Sequence, residues 1–293
     1  MDNSIVCVGA TTLDVHLRVD KIAGTPESVS YVRQVTRGPG GKGWITASTV
    51  ARLGHRVELR SLVGRNSRIV PQLAPSLASG MVPCLDHDHE IWIVVDDQHR
   101  RVTYTSFGNG DPTALDLTVE ELASSPLSAP AVYLAAEHPR LVDAARRAAQ
   151  RAGSTIVVNL STAMTGLFRR YDAGLLPPLL ESAHILLFNQ HEAHAVLRSL
   201  DVASWADIPG NNLREVVVTE GADGGRYAQA PFAEWSSFPA IPPRVVRSDI
   251  GAGDTFNGAY LASHVIDGEP PDVACRAAAA LASRCVEQWE PVV

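Results

Sequence analysis

The chain has 293 residues, of which 45% are hydrophobic, 19% charged and 6% aromatic. That balance suits a globular chain with a sizeable core and excludes a disordered, collagenous or coiled-coil protein. Twenty-five Lys and Arg against 32 Asp and Glu give a net charge of −7, which makes the chain a poor generic partner for nucleic acid or an anionic membrane.

Residues 4–9 (SIVCVG) are β-branched and end in glycine, which predicts a strand buried on both faces. Residues 14–37 then alternate polar and apolar positions without a helix, as an antiparallel ribbon would. A helix is expected over 43–53 and a buried strand over 56–64. A second alternating ribbon covers 90–106. Strands at 131–137, 155–160, 184–189 and 215–220 follow, with helices at 139–152 and 190–200 between them. The tail, 254–288, reads as two helices parted by Asp267-Gly268-Glu269-Pro270-Pro271. Strands alternating with helices predict a mainly parallel sheet with helices on both sides. No repeat or low-complexity linker divides the chain, so one domain over 1–293 with a small β appendage is expected. The four cysteines, Cys7, Cys84, Cys275 and Cys285, have no CxxC spacing and read as buried, reduced thiols. No basic leader or apolar run near ~20 residues is present, so the expectation is a cytoplasmic protein without membrane or nucleic-acid partners.

Two glycine-rich segments carry the chemistry. Ser248-Asp249-Ile250-Gly251-Ala252-Gly253-Asp254 runs into an apolar helical pattern. A Gly-Ala-Gly turn at a helix start exposes backbone N–H groups at the positive end of the helix dipole, where a phosphate can sit. Asp254 then lies beside that anion site, placed to take a proton from an attacking hydroxyl. A plain N-cap aspartate after a loop would read the same. The other segment, Gly38-Pro39-Gly40-Gly41-Lys42-Gly43-Trp44, opens the helix at 43–53 and lets backbone approach a ligand closely. It is not a phosphate-binding P-loop, because neither Ser nor Thr follows Lys42. Trp44 could stack on a base or simply pack.

Together these segments make the chain resemble the ribokinase-like (PfkB-type) carbohydrate kinases over almost its full length. The first signature of that family is kept in the spacing of Gly40-Gly41, Ala47, Gly54 and Gly64, and the core of the second in Gly251-Ala252-Gly253-Asp254. The resemblance implies an α/β three-layer sandwich, with a mainly parallel central sheet and a small β-sheet lid from about 14–37 and 90–106. It implies phosphoryl transfer from ATP to a hydroxyl of a small sugar or sugar derivative. By resemblance, Asp254 is the base and Gly251, Ala252 and Gly253 hold the developing phosphate charge. Asp14, Gly40, Gly41, Lys42 and Glu137 line the sugar. Asn189 and Glu192, in an Asn-x-x-Glu element, order Mg2+ through water, and Asn189, Thr219, Gly221 and Gly224 lie near the nucleotide. The resemblance further implies a monovalent cation such as K+ and a homodimer joined through the lid.

Three positions depart from the family pattern. Ile45 replaces an asparagine that hydrogen-bonds sugar hydroxyls, Ser248-Asp249 stands where the second signature begins Asp-Thr, and Arg65-Asn66-Ser67-Arg68 replaces an acidic loop after Gly64. The transfer machinery is kept while acceptor recognition is altered. Two alternatives therefore stand beside a sugar kinase: a nucleoside kinase of the same fold, and a kinase-like protein that binds sugar or nucleotide without turnover.

Overall fold

Short runs rich in β-branched and other apolar residues form the central strands of a nine-stranded sheet. The computed structural model describes residues 4–25, 28–98, 100–106, 108, 116, 119–120, 127, 129–135, 139–160, 173–208 and 212–288. In chain order the main elements are β1 (Ser4–Val8), β2 (Thr12–Val19), β3 (Val32–Gly40), α1 (Lys42–Arg52), β4 (Arg56–Gly64), β5 (Met81–Leu85), β6 (Glu90–Asp96) and β7 (Arg101–Ser106). They continue with β8 (Ala131–Leu134), α2 (Pro139–Ala152), β9 (Thr155–Val158), β10 (Ile185–Asn189), α3 (Gln190–Leu200), β11 (Glu215–Thr219), β12 (Gly225–Gln229), β13 (Ser236–Phe238), α4 (Ala252–Tyr260) and α5 (Pro271–Val286). The large sheet has the order β13-β12-β11-β10-β9-β8-β1-β4-β5. It is parallel except at one edge, where β12 and β13 run antiparallel.

Because side chains alternate across a strand, each central strand feeds two cores. Val6, Val132, Ile156, Leu186 and Val216 face one way, packing with Leu141, Ala145 and Val196 of α2 and α3. Cys7, Tyr133, Val157, Leu187 and Val217 face the other way, packing with Val50, Phe256 and Cys275 of α1, α4 and α5. Helix, sheet and helix thus form three layers, as expected. Where α1 meets α4, Gly258 permits close contact: a Cβ there would stand 2.6 Å from Thr49 Cβ and 2.7 Å from Thr46 O.

The two alternating segments form a separate four-stranded sheet of order β3-β2-β6-β7. Each is the antiparallel ribbon expected of it, and β2 and β6 join the ribbons in parallel. The edge strands β5 and β13, and β12 beside β13, escape the sequence reading, being short or broken by Pro83 and glycine. The first tail helix runs straight into a π-helical stretch, Leu261–Ile266, before the expected break. All four cysteines are free and buried. Among the described residues, no helix is long and apolar enough to cross a membrane.

Candidate active site

The turn between β3 and α1 has almost no room for side chains. A Cβ on Gly40 would lie 2.1 Å from Asp14 Oδ2, and one on Gly43 2.4 Å from the Gly9 carbonyl. Gly41 has φ +92°, a conformation in which glycine alone is unstrained. The amides of Gly43 and Trp44 donate to Ala10 O at 3.0 and 3.3 Å, pinning the start of α1 to the end of β1. Lys42, the first residue of α1, is thereby aimed over the C-terminal ends of the central strands, where ligands bind in parallel sheets.

The Lys42 ammonium gathers three elements. Its Nζ donates to Asn159 Oδ1 at 2.9 Å, Glu192 Oε1 at 3.1 Å and Asp254 Oδ1 at 3.4 Å. Burial works against this charge, but Asp254 and Glu192 outweigh it and hold the Lys42 pKa above the ordinary lysine range. Glu192 also closes a capping box on α3. Asn189 Oδ1 accepts from the amides of His191 and Glu192, and Glu192 Oε2 accepts from the Asn189 amide at 3.0 Å. The Asn-x-x-Glu element therefore caps its helix and, through the other carboxylate oxygen, grips Lys42.

Asp254 is the third residue of α4. The helix begins at Gly251, whose left-handed φ of 77° only glycine adopts easily, and no side chain caps it. The Ala252 amide turns back to Asp249 O over a long 3.4 Å, but the first amides of a helix otherwise lack intrahelical acceptors, so this uncapped turn can present donors to an anion. Space beyond Gly253 is open, with no atom within 4 Å of the place a Cβ would take. Thr46 of α1 donates to Asp254 O at 3.2 Å and ties the turn to the adjacent helix. Beneath it, Asn257 Nδ2 donates to the buried Tyr133 hydroxyl at 3.2 Å.

Asp14 lies across from this group, within β2 rather than in the loop after β1. It is 5% exposed and accepts from Thr12 Oγ1 at 2.5 Å. Burial raises its pKa to about 7; the Thr12 bond opposes the rise and the Asp254 charge adds to it. Thr219 ends β11 directly beside Asn189 in register. It is followed by Gly221 and Gly224, whose φ values are +62° and +87°. Gly224 also lies against Phe238 O, 2.2 Å from the place of its missing Cβ.

The structure thus brings Asp14, Gly40, Gly41, Lys42, Glu192, Asn189 and Asp254 to one end of the sheet, with Thr219 at its flank. Glu137 lies outside the described residues. Trp44 is 3% exposed and belongs to the core with Ile5 and Val50, which corrects the idea that it stacks on a base. Ile45, 4% exposed, is packed in the same core. Asn159, 2% exposed, was missed. Its signal was an amide just past the apolar run Thr155–Val158, at a strand end of this sheet. Thr46 and Tyr133 gave no signal, since their partners come from α4, far along the chain.

Glu192 and Asn189 are hard oxygen donors of the kind Mg2+ takes. Their oxygens already accept hydrogen bonds within the protein, so they fit the ion through its water shell. Among the described residues, no group of three or more His, Cys, Asp or Glu could hold a metal directly. The segment before the turn fits a monovalent cation poorly, because the Asp249 carboxylate already carries the Arg101 guanidinium at 2.7 Å.

Solved structures share this architecture. A nucleoside kinase of Methanocaldococcus jannaschii, described as an archaeal member of the ribokinase family, superposes with a TM-score of 0.81 at 23% identity, over 99% of this chain and 93% of that one. The Burkholderia thailandensis nucleoside kinase in complex with inosine gives a TM-score of 0.81 at 18% identity, over 98% and 91%. The Arabidopsis thaliana ribokinase complexed with ribose and ATP gives 0.72 at 18%, over 98% and 94%. No curated protein matches the chain in sequence. The family model described as pfkB family carbohydrate kinase matches residues 2–291, and the chain therefore belongs to that family.

Proposed function

We propose that the protein transfers the γ-phosphoryl group of ATP to a hydroxyl of a small sugar or sugar derivative, in the cytoplasm. The observation that carries this reading is Asp254. Its carboxylate stands on the first turn of an uncapped helix, beside an open Gly-Ala-Gly turn, and Lys42 bonds it to Glu192. An acceptor hydroxyl near Asp254 would give its proton to that carboxylate as its oxygen attacks phosphorus. The amides of the Gly251–Gly253 turn would meet the charge that builds on the transferred group. Lys42 holds both carboxylates in place and balances part of their charge. Asp14 would accept from acceptor hydroxyls across the β2–β3 turn. Asn189 and Glu192 would orient the hydrated Mg2+, which neutralises phosphate charge when bound. Thr219, Gly221 and Gly224 would border the nucleotide along the flank of β11.

The small sheet serves in this reading as a lid that excludes water, a competing acceptor. Its outer face leaves Val35, Trp92 and Tyr104 exposed at 40, 37 and 61%. That apolar face is where a second copy would pair, and sedimentation velocity showing a monomer at micromolar concentration would remove the homodimer. A nucleoside acceptor is the second reading, favoured by fold neighbours described as nucleoside kinases. Steady-state ADP release with a panel of sugars and nucleosides tests both. Acceptor-dependent release is expected. Release no faster than the acceptor-free background with every compound, while ligands still bind, would leave a non-catalytic binding protein.

A further inference from the structure

Between the inner face of the small sheet and the segment before the catalytic turn lies a cavity of about 510 Å³, within the range of small-molecule sites. His16 and Arg18 enter it from β2, Thr36 from β3 and Arg101 from β7, while Arg247 and Asp249 enter from the opposite wall. Its place is informative. Asp14, His16 and Arg18 are alternate residues of one strand and so share a face, and Arg247 and Asp249 precede Asp254 by a few residues. The cavity therefore continues outward from the acceptor side of the proposed site. The nucleotide-side residues Asn189 and Thr219 lie on the large sheet instead.

The charge of its lining runs against that of the chain. Three guanidinium groups face one carboxylate, in a protein of net charge −7. Asp249 is matched by Arg101 at 2.7 Å, in a pair exposed enough to be shared with an incoming anion. Arg18 reaches toward Asp97 at 4.0 Å, also at the surface. Arg247 is exposed on the wall next to the turn, and its backbone amide is fixed by Val286 O at 2.9 Å. Guanidinium forks match the planar or tetrahedral oxygens of carboxylate and phosphate.

We infer that this cavity takes the anionic end of the acceptor: the substrate is a sugar or sugar derivative bearing a carboxylate or phosphate, with Arg247 as its principal contact. The inference rests on the kinase reading above and sharpens it. The uncharged part of the acceptor would lie toward Asp14 and Asp254, leaving its anionic end under the lid, away from the ATP phosphates.

The test uses matched acceptors: D-glucose with D-gluconate, and D-ribose with D-ribose 5-phosphate. ADP release is measured with the wild-type chain, Arg247→Gln and Arg247→Lys. One charge-assisted contact changes an equilibrium by about tenfold or more. The anionic member of at least one pair should therefore exceed its neutral partner in kcat/KM by about that factor. The pair that shows it tells carboxylate from phosphate. The advantage should collapse in Arg247→Gln and return in part in Arg247→Lys. Neutral members that match or beat the anions in both pairs, or an advantage untouched by Arg247→Gln, overturn the inference while the kinase reading stands. If no acceptor is turned over, calorimetric binding of the same four compounds decides. Tighter binding of an anion that Arg247→Gln abolishes supports the cavity assignment, and equal affinities overturn it. The missing turnover counts only against the kinase reading.

Discussion

At the C-terminal end of the large sheet, Asn159, Glu192 and Asp254 are mostly buried and bonded to Lys42, drawing three distant parts of the chain to one ammonium. The small sheet is built the other way. Its outer face leaves large apolar groups in water, and it reaches the turn before Asp254 through an exposed ion pair, Arg101–Asp249, with side chains 46 and 73% accessible. Charges fixed in a protected network keep one geometry at little cost in reorganisation, which suits transfer chemistry. β2 is anchored in the core through Leu13 and Val15, whereas the far strand β7 meets the turn through this exposed pair, and in the proposed reading such a surface can adjust to the acceptor.

Removing the centre of the buried network should have the largest effect on stability. Lys42→Met would leave Glu192 and Asp254 facing each other without a counter-charge, and breaking such a pair costs about 3–5 kcal/mol. Lys42 is partly accessible, so the lower end is expected. Urea unfolding measures it, and a loss within about 0.5 kcal/mol, the usual scatter of surface substitutions, would show that the network holds nothing together.

Asp14 stands at the junction of the two regions, and its effect should depend on pH. Burial lifts its pKa from 3.8 to about 7, so the folded state binds more protons than the unfolded one between those values. Its favourable contribution is complete below pH 3.8 and is lost as pH rises through about 7. Asp14→Asn removes that loss. The melting temperature of Asp14→Asn relative to wild type should climb between pH 4 and 8, at about 2–4 °C per kcal/mol. A difference that stays level with pH would place Asp14 in a wetter setting than β2 gives it.

Cutting the tie between the regions should matter least to stability. Arg101→Gln removes an exposed pair worth about 0–1 kcal/mol, so unfolding should hardly change. Amide exchange over 101–106 should nonetheless quicken, because β7 loses its ion pair to the turn. Unchanged exchange there would mean that the small sheet is held by its β2 connections alone.

The two regions also differed in how far they could be read from sequence. Glycines betray the candidate site because close backbone approach leaves no alternative: Gly40 against Asp14 and Gly43 against Gly9 are required by geometry and visible as a motif. The central parallel strands were legible as unbroken apolar runs. Thr46 and Tyr133 were not, because their partners lie more than a hundred residues away, and Asn159 left only an amide just past an apolar run, its link to Lys42 spanning a similar distance. The strands of the small sheet were legible as alternation, but the parallel joining of β2 to β6 and the basic cavity beside it were not, since neither leaves a local pattern. Ile45 shows the limit of reading one position by motif. It marked a departure in acceptor recognition, and the structure packs it into the core under α1.

The most direct test of the account is a single-turnover measurement of γ-phosphoryl transfer to an accepted hydroxyl, with wild type and Asp254→Asn at equal, saturating ATP. In the proposed reaction the carboxylate beside the Gly-Ala-Gly turn would take the acceptor proton, and losing a general base costs about 10²–10⁴ in rate. Asp254→Asn should therefore fold, bind nucleotide and transfer slower by that factor. Transfer within threefold of wild type would contradict the account, placing the proton acceptor somewhere other than the first turn of α4.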